Sequence, residues 1–173
     1  MTTEFSYTSV IVLQAADRVF EQLKNLNDIS ISHAIQYYAY RSQLSNLEIL
    51  QARTSGMPTS IRQRTLERVT KGVQSTMKSL QEILFQMQVL VEQLRSLPTS
   101  SLNIHDTERF NAFVTAHEQH IVKKQGLLRI CASDGPIQQF NQDEWLITWR
   151  SSPEVQETHK EEMDALARAL SSW

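Results

Sequence analysis

The sequence has a single cysteine, four glycines and four prolines among its 173 residues. One cysteine excludes a disulfide framework within the chain. So few glycines and prolines leave too few turn residues for a sheet protein with many strands. No apolar run reaches the length of a membrane-spanning helix, and the run at 10–13 is too short for a signal peptide. We therefore expect a soluble, intracellular helical protein with no membrane association.

An excess of charge of one sign is also lacking. The chain carries 17 Lys and Arg against 19 Asp and Glu, interspersed along its length, for a net charge of −2. This balance provides no basic field that would attract nucleic acid, so we expect no nucleic-acid partner. The hydrophobic content of 40% is enough for one core. Composition and the absence of long linkers thus predict a single α-helical domain over residues 1–173.

Apolar residues recur with helical periodicity between residues 61 and 97. The stripe is broad, so it requires at least two partner helices, from this chain or from another. Ser60 and Gln63 predict a capping box at its start, and Pro98 predicts its end. A helix of about 36 residues is about 54 Å long, which exceeds the ~40 Å diameter of a compact domain of this size. We therefore predict an elongated all-α bundle or coiled coil around one long central helix, with a partner interface made by the stripe residues Leu66, Val73, Met77, Leu80, Leu84, Met87, Val91 and Leu94.

The remaining helices are predicted from shorter stripes and from their breaks. Asn27 and its neighbours predict a kink between the first two helices, and Gly56 with Pro58 predicts a break after the second. Asp106 is predicted to cap the helix that follows the central one. A turn at 133–136 and the proline at 153 separate the last two helices. The predicted helices span residues 9–26, 32–53, 61–97, 107–131, 138–149 and 153–172.

Two histidines are the main candidates for chemistry. His117, Glu118 and His120 form an H-E-x-H sequence, but the zincin pattern requires histidines four residues apart. This spacing favours His117 in the core and His120 facing solvent. Cys131 follows Arg129, which is compatible with a lowered thiol pKa, although a small buried side chain is the favoured interpretation. We predict no catalytic, cofactor-binding or metal-binding residues, and hence no enzyme.

The segment from His120 to Lys123 offers a distant alternative. It reads H-x-x-K and is similar to the core of histidine phosphotransfer domains, which are also all-α bundles. Those domains have a small residue directly after the lysine, where a response regulator approaches the imidazole. Lys124 occupies that position here. A histidine phosphotransfer protein is therefore kept only as a distant alternative.

Aromatic and leucine residues outside the central helix have two interpretations. In the first they pack the bundle, because large aromatic side chains dominate core burial. In the second they are anchors for a partner chain, since tyrosine and tryptophan are enriched at interfaces. The candidate anchors are Tyr37, Tyr40, Leu44, Leu47, Trp145 and Trp149.

The order of these segments resembles the small second subunit of the augmin complex. In that family a helix with tyrosine, leucine and an Asn-Leu-Glu-Ile run precedes a long helix and then another amphipathic helix. Tyr40, Leu44 and the run at 46–49 stand in the first position here, followed by the apolar segments at 80–97 and 110–128. The resemblance implies a non-catalytic subunit of a multi-protein coiled-coil complex.

In that family the complex acts on the spindle in the cytoplasm, where it recruits the γ-tubulin ring complex for microtubule nucleation. The implied partners are other coiled-coil subunits and, indirectly, microtubules and γ-tubulin, with no cofactor. Two alternatives stay open from the helical pattern alone. One is a homodimeric helical adaptor, and the other is a kinetochore or vesicle-tethering subunit.

Overall fold

A computed structural model describes residues 2–53, 58–132 and 142–151. Within these ranges the chain forms four α-helices, one short 3₁₀ turn and no strand. The all-α prediction is confirmed. The helices are α1 (Thr2–Arg53), α2 (Thr59–Ser96), α3 (Ile104–Ala132) and α4 (Gln142–Arg150), and the 3₁₀ turn (Thr99–Ser101) lies between α2 and α3.

The first three helices run up, down and up along one another. Tyr40 of α1 lies against Gly72 of α2, and Leu26 shares a groove with Leu90, so α1 and α2 are antiparallel. An ion pair joins α2 to α3, and further on Gln88 meets Gln125, so these two helices are also antiparallel. Consequently α3 lies parallel to α1, and the core forms where the three helices meet.

The predicted kink in the first helical region is wrong, because α1 is one continuous helix of 52 residues. The inward-facing positions of α1 recur with helical spacing, and this series continues through Asn27 and Ser30. Both side chains bond within the structure: Ser30 Oγ donates to the Asn27 carbonyl at 2.7 Å, and Asn27 Oδ1 accepts from α3. Since these polar groups are satisfied in a helical backbone, they do not interrupt it.

The predicted limits of the second and third long helices are close to the observed ones, but both predicted caps are wrong. Pro58 precedes α2, and no side chain caps that end, so Ser60 and Gln63 form no capping box. Asn103 caps α3 by accepting the Asp106 N–H at 2.8 Å, so Asp106 is the third helical residue instead of the cap. Leu97, before Pro98, is extended and ends α2 as predicted.

The expectation of one long central helix is not met. At 1.5 Å per residue α1 is about 78 Å long and α2 about 57 Å, so the longest helix is the first. The predicted helix at 138–149 corresponds to α4 in its described part, and the predicted helix at 153–172 lies outside the described residues. The main core contains side chains from all four helices: Ala16, Phe20, Leu23, Ala34, Tyr37, Leu80, Ile83, Leu84, Met87, Val91, Leu94, Phe110, Phe113, Val114, Ile121, Leu128, Trp145 and Trp149.

Two helical glycines have opposite surroundings and give a matched prediction. A Cβ on Gly72 would lie 2.5 Å from the Tyr40 ring, whereas a Cβ on Gly126 would have no atom within 4 Å. Gly126→Ala should raise stability by about 1 kcal/mol, because alanine restricts the unfolded chain and favours helix. Gly72→Ala should lower stability, because the Tyr40 ring must move out of the α1–α2 contact.

Thermal and chemical denaturation of the two glycine variants measure this difference. Adding Tyr40→Ala to Gly72→Ala removes the obstructing ring. Gly72→Ala should then lower stability less than it does when Tyr40 is present. Equal gains in stability from Gly72→Ala and Gly126→Ala in the unmodified background would contradict the close approach of α1 and α2 at this point.

Candidate functional site

A lysine lies almost completely buried where α1, α3 and α4 meet. The side chain of Lys124 is 1% exposed. Its Nζ donates to Asn27 Oδ1 at 2.6 Å and to Ser30 Oγ at 3.1 Å, and it lies 4.9 Å from the centre of a Trp149 ring. We call Asn27, Ser30, His120, Lys124 and Trp149 the polar junction. A buried amine in a cation–π contact with two oxygen acceptors is the most unusual chemical feature of the described structure.

His120 completes the junction from the same face of α3. Its Nε2 lies 3.2 Å from Asn27 Oδ1. Because an amide oxygen only accepts, the imidazole nitrogen is the donor, and Asn27 Oδ1 accepts from both His120 and Lys124. One asparagine of α1 thus connects two successive turns of α3.

The Ser30 hydroxyl uses all of its hydrogen-bonding capacity inside the junction. It donates to the Asn27 carbonyl, and it accepts from Lys124 Nζ at 3.1 Å and from Trp149 Nε1 at 3.4 Å. A hydroxyl has one donor and two acceptor sites, so none remains for a ligand. The junction therefore holds three helices together, and its geometry leaves no reactive hydroxyl.

Burial changes the proton affinity of both cationic side chains. It lowers the pKa of Lys124 from 10.5 to about 7, with Lys123 lowering it further and Asp28 opposing the change. It also lowers the pKa of His120 from 6.5 to about 3, aided by the charge of Lys124 and by His117. The oxygen acceptors and the Trp149 ring favour a charged lysine, but loss of hydration outweighs them.

The sequence analysis missed Asn27, Ser30 and Lys124 as junction residues. A signal was present, because Lys124 stands between Ile121 and Leu128 on the apolar stripe of α3. Asn27 and Ser30 likewise occupy core positions of α1. Polar residues at core positions of two helices indicate that they bond to one another, since an unpaired buried polar group is costly.

The two predicted histidine environments have different outcomes. His117 is buried beside Phe20 and Phe113, with ring centroids at 6.4 Å and 4.5 Å, as predicted. His120 was expected at the surface and is 4% exposed. The reason is that Asn27 of α1 offers it an acceptor, so the imidazole is buried with a polar partner.

The H-E-x-H residues do not converge on a common point. Glu118 pairs with Arg95 on α2, whereas His120 bonds to α1. Across residues 2–53, 58–132 and 142–151, no three His, Cys, Asp or Glu side chains are arranged to hold a metal ion. Burial raises the pKa of Cys131 to about 11, although its hydrogen bond to Tyr37 opposes this. The thiol of Cys131 therefore has a raised pKa, as a half-buried side chain should, and not the lowered pKa that Arg129 suggested.

The residues predicted as a partner interface on α2 fall into two groups. Leu80, Leu84, Met87, Val91 and Leu94 are buried inside this chain, which places them in its own core and not on a free surface. The physical reason is that α1 and α3 both pack on this half of α2. The other three, nearer the start of α2, are half-buried: Leu66, Val73 and Met77.

The candidate anchors divide in the same way. Tyr37, Trp145 and Trp149 are buried, and their rings form two tilted contacts in series, each with ring centroids 5.2 Å apart. They hold α4 against α1, and the Trp145 indole N–H also donates to the Leu127 carbonyl of α3 at 3.2 Å. Within this chain they pack against one another, and their role as anchors for a partner chain stays a prediction. The half-buried anchors lie further along α1: Tyr40, Leu44 and Leu47.

The junction predicts a loss of stability in acid. The pKa of His120 is about 3 when folded and 6.5 when exposed, so the unfolded chain binds one more proton between these values. His120 therefore contributes its full stability above pH 6.5 and loses it as the pH falls toward 3, by up to about 1.4 kcal/mol per pH unit.

Urea denaturation at several pH values measures the contribution of His120. His120→Gln keeps a side-chain amide that can donate to Asn27 and removes the titration, so its stability should vary less between about pH 6.5 and 4. His105→Gln is the matched control, because His105 is exposed at the start of α3. An unchanged acid slope in His120→Gln would refute the assignment.

Comparison with known proteins finds no match for this chain. No family model, no curated protein and no solved structure matches the chain. Among the described helices, none is both long enough and apolar enough to cross a membrane.

Proposed function

We propose that this chain is a non-catalytic structural subunit that joins a larger helical assembly through the far end of its α1–α2 pair. The observation that supports the proposal is a change in burial along these two helices. Where α3 and α4 pack, the stripe residues are buried. Beyond that point Leu66, Val73 and Met77 are half-buried, the last two packed against the main core, and Val69 is buried. Adding a helix from another chain would extend the core along the pair.

We name the segments 40–53 and 58–77 the distal hairpin. The ring and hydrogen-bond contacts described between α1 and the helices α3 and α4 lie at Phe20, Asn27, Ser30, Tyr37 and Tyr38. The distal hairpin continues past these positions as an antiparallel helix pair. Its half-buried apolar residues fit the interface that the sequence predicts for a partner helix: Tyr40, Leu44, Leu47, Leu66, Val73 and Met77.

The specific assembly that we propose is an augmin-type complex. The support for it is the resemblance in segment order, together with two long antiparallel helices suited to an elongated coiled coil. In this proposal the chain acts in the cytoplasm on the spindle, where the complex recruits the γ-tubulin ring complex to microtubules. Its direct partners are coiled-coil subunits, and it needs no cofactor.

Purification of the tagged protein from dividing cells tests the proposal. Mass spectrometry should recover stoichiometric coiled-coil proteins together with γ-tubulin components. A variant with Leu47→Ala and Leu66→Ala should keep its helicity but lose these companions, because both side chains are half-buried in the distal hairpin. Lys78→Ala is the matched control on α2, since its side chain is exposed.

Other results would replace the proposal with one of its alternatives. Recovery of the protein alone as a stable dimer would indicate a homodimeric adaptor. Recovery of kinetochore or vesicle-tethering proteins would keep the assembly role and overturn the augmin assignment. Recovery of a response regulator would favour phosphotransfer, against which the burial of His120 already argues, since a partner must reach the imidazole.

A further inference from the structure

We propose that α4 is a latch that closes over the polar junction and opens when the amine of Lys124 takes up a proton. This inference does not depend on the proposed assembly role. It follows from the place of Lys124 beneath Trp149, at the contact between one short helix and two long ones.

The helix α4 is the shortest of the described α-helices. It has nine residues and runs antiparallel to α1, with Trp145 beside Tyr37 and Trp149 beside Ser30. Asp143 at its start accepts a hydrogen bond from Tyr38. Separating a nine-residue helix exposes less buried surface than unfolding the three long helices. We therefore expect α4 to open at a lower free energy than the whole bundle, while α1, α2 and α3 stay packed.

Opening of the latch uncovers Lys124, because it removes Trp149 from the amine. In the closed state Trp149 covers the amine, which is buried with Asn27 and Ser30. When α4 leaves, water reaches the amine and restores the affinity for a proton that burial reduces. The open state therefore binds a proton that the closed state releases.

The other charged groups around Lys124 do not reverse this direction. On α3, His117, His120 and Lys123 all face the region, and on α1 the nearest carboxylate is Asp28. Asp28 is exposed, and its attraction for the amine is weaker than the effects of burial and of Lys123.

On α4 itself the charged residues lie away from the amine. Asp143 is bonded to Tyr38, and Glu144 and Arg150 are exposed. Since one proton is taken up, the opening equilibrium should shift about tenfold per pH unit between the closed and open pKa values of Lys124. It should level off below about pH 7.

Labelling of a thiol introduced beneath the latch measures the opening. Ala34→Cys, in a Cys131→Ser background, is placed on the buried face of α1 between Ser30 and Tyr37. Ala16→Cys is the matched control, because Ala16 is equally buried but lies two turns or more from α4 along α1. Dividing each labelling rate by that of a free thiol at the same pH gives the equilibrium constant for opening, which we call the opening constant.

The expected result is specific to Lys124. The opening constant at position 34 should rise about tenfold per pH unit as the pH falls from about 9.5 to 7.5. The opening constant at position 16 should not show this rise. Lys124→Met should make the profile at position 34 flat in this range, whereas Lys123→Met, at an exposed neighbour, should keep a rise as the pH falls.

Three results would overturn the latch. The first is a pH profile at position 34 that persists in Lys124→Met. The second is an equal profile at position 16, which would show that the whole bundle opens. The third is an opening constant at position 34 that does not change with pH in the unmodified protein.

Discussion

Replacing Leu80 with aspartate should prevent the chain from folding. Leu80 is completely buried in the centre of α2, within the core shared by α1, α2 and α3. A carboxylate there loses its hydration without a charged partner, at a cost of several kcal/mol, and the lost apolar contacts add to this. Because a domain of this kind is stable by about 5–15 kcal/mol, circular dichroism should show little cooperative unfolding in Leu80→Asp.

The adjacent position gives the control for Leu80→Asp. Gln81→Asp introduces the same residue one position further along α2, at an exposed site, so its unfolding midpoint should stay close to that of the unmodified protein. If Leu80 belonged to the partner interface that the sequence predicts, Leu80→Asp would instead break assembly with a partner. A Leu80→Asp protein that folds normally and only loses a partner would restore that expectation and contradict the core position of Leu80.

The parts of the fold that follow from sequence are those governed by local periodicity. The limits of α2 and α3 lie within three residues of the predicted ones, because each helix has an apolar stripe along most of its length. Phe113, His117 and Ile121 lie in the core as predicted. For these helices the stripe determines which side is buried, whichever neighbour covers it.

The continuity of α1 could not be predicted in the same way. Asn27 and Ser30 look like helix breakers when only their sequence neighbours are considered. Their partners, His120 and Lys124, are more than 90 residues away, and the chain must be folded before the polar groups bond. The polar junction was missed for the same reason, since each of its members is unfavourable at a core position until the others are present.

Periodicity also cannot identify the chain that covers a stripe. Leu84 and Leu66 belong to the same apolar row of α2, yet the first is buried by this chain and the second is half-buried. The difference depends on how far α3 extends along α2, which is a property of the assembled bundle. The structure is therefore needed to limit the candidate interface to the distal hairpin.

Phe20→Ala should be among the most destabilising single truncations in the protein. The Phe20 ring is buried between α1 and α3, with its centroid 4.1 Å from that of Phe113 in an edge-to-face arrangement and 6.5 Å from that of Phe110. Truncation leaves a cavity at the point where the two helices meet, and such changes cost about 3–5 kcal/mol. The midpoint of urea unfolding should fall accordingly.

Phe85 offers the same substitution in the opposite environment. Its ring is 63% exposed on the outer side of α2, between a groove of about 530 Å³ shared with α1 and a smaller one shared with α3. Phe85→Ala removes the same atoms without opening a cavity, so the stability of the isolated chain should change by less than about 0.5 kcal/mol.

The difference between the two phenylalanine variants tests the packing of α3 on α1 directly. A double-mutant cycle of Phe20→Ala with Phe113→Ala should give a coupling of about 0.5–1.5 kcal/mol, as expected for an aromatic pair in contact. No coupling is expected between Phe20 and Phe85. If Phe20→Ala and Phe85→Ala lower stability by similar amounts, the buried face of α1 has been assigned to the wrong side, and the junction of Asn27 with α3 would be wrong with it.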